Sequence, residues 1–204
     1  YSVRKSHKVI PMLRVFDHIP NMVKFIAASK VQSILEVLPR DNMDVHRISI
    51  TNVQDLCTAL EIEYDENKPQ RSKDALIEEL KKSIKETIAE FLQDKPQIDI
   101  YKSTDIASAF KYLDFTLVDK ILTLYGECES IINRFIEQKS LPTIDESRIR
   151  AFVKLRNNKT HSGEINWGNN GETYVILLAL LYAYILKNAG VDSSIIHQLL
   201  IALF

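Results

Sequence analysis

The strongest constraint on this chain is the spacing of its apolar residues between positions 117 and 135. Leu117, Ile121, Leu124, Cys128, Ile131 and Phe135 recur at intervals of three and four. That period puts all six on one stripe of an α-helix, and strand alternation does not produce it. Thr116 with Asp119 makes a weak capping-box pattern at its start. The same period recurs along the chain. Val53, Leu56, Cys57, Leu60 and Tyr64 share one helical face, and Ile77, Leu80, Ile84, Ile88 and Phe91 share another with charges opposite. Val23, Ala27, Val31, Ile34 and Leu38 form a stripe over 21–38, closed by Pro39. Thr143 and Glu146 have capping-box spacing ahead of a helix with Ile149, Phe152 and Val153 on one side. Tyr174 to Leu186 is apolar nearly all round and Gly190 stops it, after which Asp192 or Ser193 caps a last helix that ends at Phe204.

These stripes predict an all-α, antiparallel helical bundle. Gly and Pro are scarce, 5 and 6 of 204 residues, and 46 % of the chain is apolar. A sizeable core is therefore expected, and an all-β or disordered chain is not. We read residues 1–41 as a linker or helical arm from a preceding domain, and 42–204 as the helical domain. The chain begins with Tyr1 rather than Met, so a longer protein is expected, with its N-terminal domain as one partner. The helix around Tyr174–Leu186 has too much apolar surface for one buried face. It is expected at the bundle centre, sharing its outer side with a second copy in a homodimer. Its thirteen residues are too few for an ordinary membrane span, so no membrane partner is expected. Cys57 and Cys128 fall on helical stripes, without a CxxC pattern or a histidine at metal spacing. They read as reduced core residues of a cytoplasmic protein, with neither metal nor cofactor.

The formal charge is −1, so the surface as a whole is not built to embrace nucleic acid. The charge is uneven, however. Residues 1–50 carry a net +4. From Ser147 to Gly163 there are five basic side chains, Arg148, Arg150, Lys154, Arg156 and Lys159, and no acidic one. The bland reading of such a run is a solvated helix face.

Within that run lies Arg156-Asn157-Asn158-Lys159-Thr160-His161. Ile149, Phe152, Val153 and Arg156 are spaced three, one and three, so Arg156 continues the apolar face of its helix. A guanidinium aimed inward needs an anion, either a carboxylate or a phosphate. His161 follows just past the expected helix end, and an unperturbed imidazole titrates near pH ~6.5. The RNA 2′-hydroxyl is a nucleophile already in place. A histidine that takes its proton and an arginine that holds the phosphorane charge suffice in principle, without a metal. Asn157 or Asn158 would orient the phosphate or the imidazole, and Lys154, Lys159 and Arg150 would hold the RNA backbone. A second match, Arg40 to His46, sits behind Pro39 among acidic residues, with no apolar face leading into it.

The stretch from Phe152 to Gly163 resembles the arginine, polar residue and histidine motif of HEPN domains. The likeness is greatest to the C-terminal HEPN domain of ApeA-type anti-phage proteins. It covers roughly residues 42–204, with Leu56 to Tyr64 and its Glu61 resembling an early helix that often carries an acidic residue. The resemblance implies a dimeric all-α bundle. It also implies a metal-independent endoribonuclease acting in abortive-infection defence, with Arg156 and His161 as the active pair, Glu61 in support, and RNA, tRNA among the candidates, as substrate. Some relatives carry a tyrosine two positions after the histidine, where this chain has Gly163, so no role of that tyrosine carries over. Two other readings stand beside it: a module that binds RNA or a nucleotide without cutting, and a dimerisation domain in which Arg156 and His161 merely cap a helix. Trp167 reads as a loop anchor and Gly168 to Gly171 as a turn, since the setting of a phosphate loop is missing.

Overall fold

The computed structural model describes residues 15–28, 34, 48–67, 75–93, 116–157 and 167–204, and these form seven α-helices with no strand among them. They are α1 (Ile19–Ala28, entered through a 3-10 turn at Phe16–His18), α2 (Ile50–Asn67), α3 (Ala75–Gln93), α4 (Leu117–Gln138), α5 (Glu146–Asn157), α6 (Asn170–Asn188) and α7 (Ser193–Leu203). The fold is all-α.

The core lies where α2, α4, α5, α6 and α7 meet. The stripes expected on α2 and α4 are the buried ones: Val53, Leu56, Cys57, Leu60 and Tyr64 on one, and Ile121, Leu124, Cys128, Ile131 and Phe135 on the other. Lys120 in the first turn of α4 bonds Asp65 near the end of α2, so these two helices run antiparallel. Lys187 at the end of α6 reaches the carbonyl of Glu127. The Phe204 ring, just past α7, packs edge-on against Phe135 and Tyr182. α6 therefore runs against both α4 and α7. It is covered by α2, α4, α5 and α7, and ten of its nineteen residues are buried. Val175, Tyr182, Ile185 and Leu186 of the same helix are partly buried against the core.

The helix ends show how local chemistry sets the boundaries. Thr116 and Asp119 form a complete capping box, stronger than their sequence pattern suggests: the Thr116 amide donates to Asp119 Oδ2 at 2.8 Å, and the Asp119 amide donates to Thr116 Oγ1 at 3.3 Å. At α5 the expected cap is displaced. Asp145, not Thr143, accepts from the Arg148 amide at 2.8 Å. Ile144 and Ile149 are both in the core, the N′ and N4 positions of a hydrophobic staple, and anchoring them leaves Asp145 at the cap. α6 ends as Gly190 predicts. Gly190 takes φ +79°, its amide donates to Lys187 O, and the Val191 amide donates to Leu186 O. α4 closes by the same pair of bonds around Ser140, which takes φ 52° in place of a glycine.

Two expectations fare differently. α3 has the predicted apolar stripe, yet none of its residues is buried. Leu76 is 74 % exposed and Phe91 54 %, because no other described helix packs closely along it. α1 covers only the first part of the 21–38 stripe; most of the remainder lies outside the described residues. α1 does meet the bundle: His18 Nε2 is 3.8 Å from Asp192 Oδ2, and Met22 packs on the core. No helix among the described residues is long and apolar enough to cross a membrane.

Candidate functional site

α5 positions the candidate site. Ile149 and Phe152 are fully buried, and Val153 and Leu155 are packed against the core. This apolar face fixes the rotation of the helix, and Arg156 follows on it one turn later, half-buried. Asn157, the last helical residue, is exposed, as is Lys154. His161, Asn158 and Lys159 lie outside the described residues, as do Arg40 and His46 of the second motif match.

The basic side chains of α5 divide into two groups. Arg150 bonds Glu146 one turn back, and Arg148 Nη1 lies 3.7 Å from Glu172 in the first turn of α6. Both are thus engaged with carboxylates; for Arg150, which was expected to hold RNA, that competes with the role. Arg156 and Lys154 have no carboxylate or hydrogen-bond partner among the described residues. Arg156 looks toward α2, where its charge acts on the Cys57 thiol. Burial pushes that thiol up to about 12; the Arg156 charge pulls it down, and the Glu61 charge pushes it up. Cys57 is therefore a neutral core thiol, and neither it nor Cys128 forms a disulfide.

Glu61 is on the α2 side that Arg156 approaches, but its carboxylate is held elsewhere. Lys120 of α4 lies 3.2 Å from Glu61 Oε1 and 2.7 Å from Asp65 Oδ1, with its ammonium 5.7 Å from the centre of the Tyr64 ring. Burial alone would lower the Lys120 pKa, but the hydrogen bonds and charges of Asp65 and Glu61 outweigh it, and the net direction is up. Glu61 can orient Arg156 only through space, not by a bond among the described atoms. Sequence reasoning missed Lys120, because its partners lie 55 and 59 positions away. It also missed Glu63, a carboxyl 1 % exposed in the same helix; its only signal was an acidic residue at i+3 from Leu60 on the buried stripe.

Trp167 packs against the core, and Gly168 and Asn169 make the turn into α6, with the Asn170 amide donating to Trp167 O at 2.7 Å. Among the described residues no group of three or more His, Cys, Asp or Glu side chains is gathered so that it could hold a metal ion. The arrangement thus offers a guanidinium at a helix end that is unpaired among the described residues, with an exposed amide and an exposed ammonium beside it. Together they can bind a phosphate. No family model, curated protein or solved structure matches this chain.

Proposed function

We propose that the chain is a HEPN-type, metal-independent endoribonuclease acting as a homodimer in anti-phage defence. The observation that carries the reading is Arg156. It continues the buried face of α5, is half-buried, and meets no carboxylate among the described residues. A charge held in that way is costly unless an anion arrives. Guanidinium recognises phosphate through paired hydrogen bonds, and the residues that follow supply Asn157 and, five positions on, His161.

In this mechanism His161 takes the proton from the 2′-hydroxyl, and the 2′-oxygen attacks the adjacent phosphorus. Arg156 holds the negative charge that develops on the phosphorane oxygens. The bond to the 5′-oxygen breaks, that oxygen receives the proton, and the products are a 2′,3′-cyclic phosphate and a 5′-hydroxyl. Asn157 positions the phosphate, and Lys154 neutralises a neighbouring one. The assignment to defence rests on the motif resemblance and on the self-toxic character of such cleavage. The dimer rests on the resemblance alone.

The test is induced expression of the protein, of Arg156→Ala and of His161→Ala, followed by growth and total RNA integrity with and without phage. Growth arrest with discrete RNA fragments for the first alone supports the nuclease. Intact RNA in all three at equal expression removes it and leaves a binding or dimerisation module. RNA binding that survives His161→Ala without any cleavage would select the binding module.

A further inference from the structure

The last turn of α2 carries a carboxyl in a place built for a neutral group. Glu63 is 1 % exposed. Its Oε2 accepts from Asn67 Nδ2 at 3.1 Å, while Oε1 is buried with no hydrogen-bond partner among the described residues. Its helix packs against α4, α5 and α6, and Glu63 is within electrostatic reach of the buried Tyr184 of α6. The Asn188 side chain one turn on hydrogen-bonds the Tyr184 hydroxyl. A carboxyl oxygen without a hydrogen-bond partner among the described residues thus lies inside an apolar bundle. Native interiors rarely tolerate that without a reason.

Among the described residues, burial and the Glu66 charge oppose an ionised Glu63, and the Asn67 hydrogen bond favours it. Its own helix brings Glu61, Asp65 and Glu66 into the same two turns, and the last turn holds no basic residue. The negative end of the helix dipole points the same way. On α4, Lys120 is already bonded to Glu61 and Asp65, and the Cys128 thiol is buried. From α6 come the neutral Tyr184 and, at its end, Lys187, whose ammonium is turned to Glu127. Asn67, the exposed last residue of α2, bonds both the carboxyl and the backbone carbonyl of Glu63.

We infer that Glu63 is a proton-operated latch on the C-terminal turn of α2: protonated, it stays buried and bonded to Asn67; ionised, it favours the state in which that turn unwinds and the carboxylate reaches water. Burial, first, and then the Glu66 charge raise its pKa to about 7, against the lowering pull of the Asn67 hydrogen bond. The sign follows. The open state ionises near the ordinary value of 4.5 and the closed state near 7, so opening releases a proton between those limits. The closed turn is most secure below the lower limit, loosens as pH rises, and levels off above the upper one.

Hydrogen exchange of the amides of residues 63–67, corrected for intrinsic rates, reads the latch in the intact chain. Opening is expected to rise roughly tenfold per unit between about pH 5 and 7 and then to plateau. Glu63→Gln should abolish the dependence and hold the turn as closed at pH 8 as the parent is at pH 5. Protection that does not change with pH, or that changes equally in Glu63→Gln, overturns the latch. A site-specific carbon-13 titration of the Glu63 carboxyl provides the check if the variant folds poorly. A midpoint above about pH 6 supports the proposal, and a lower one overturns it.

Discussion

Replacing Arg156 with methionine separates a residue kept for an anion from one kept for stability. The guanidinium leaves and most of the aliphatic stem stays, still packed at the end of α5. Two opposing terms set the result. The charge sits in the last turn of α5, where the helix dipole favours it by about 0.3–1 kcal/mol. It is also half-buried without a carboxylate among the described residues, a desolvation cost on the order of 1 kcal/mol. The net change should fall within about 1 kcal/mol of zero, a shift in Tm of no more than about 4 °C for a chain of this size. Had Arg156 been one half of a buried ion pair, its loss would cost about 3–5 kcal/mol, or at least about 6 °C. Lys120→Met is the control. Lys120 is only 14 % exposed and holds two carboxylates; since those carboxylates are partly solvated, we expect a loss of about 1–2 kcal/mol. Scanning calorimetry at neutral pH measures both. A fall of about 6 °C or more for Arg156→Met would show that Arg156 is ion-paired, and would remove the reason for placing a phosphate there.

Two further predictions concern the scaffold that aims Arg156. Phe152→Ala empties a fully buried ring position on the face of α5 that carries the arginine; urea titration should show a loss of about 3–5 kcal/mol. Cys57, whose thiol burial pushes up to about 12, should resist iodoacetamide at pH 8 in the folded protein and react only when denaturant is added, as mass spectrometry would report.

Much of the bundle is readable from side-chain period alone. The α2 and α4 stripes, the all-round apolar α6 and its Gly190 stop all follow from local rules. What is not readable depends on partners far along the chain or on competition between near-equal local signals. Thr143 and Asp145 both offer a cap for α5, and the core positions of Ile144 and Ile149 decide between them. Ser140 at φ 52° closes α4 where a glycine would have announced the turn. The apolar stripe of α3 gives the period of a helix without telling what covers it. At the site, the inward placement of Arg156 was legible from its register with Ile149 and Phe152. The fate of Glu61 was not, because Lys120 lies 59 residues away. Nor could the pattern tell that Glu63, two residues on, enters the core while Glu61 stays at its edge.

The most direct measurement is the chemistry of the RNA ends. The purified protein, incubated with total RNA in excess EDTA, should leave fragments bearing 2′,3′-cyclic phosphates and 5′-hydroxyls. Folded Arg156→Ala and His161→Ala should leave none. Fragments with 3′-hydroxyl and 5′-phosphate ends, cleavage that persists in both variants, or intact RNA with the folded parent protein would contradict the account.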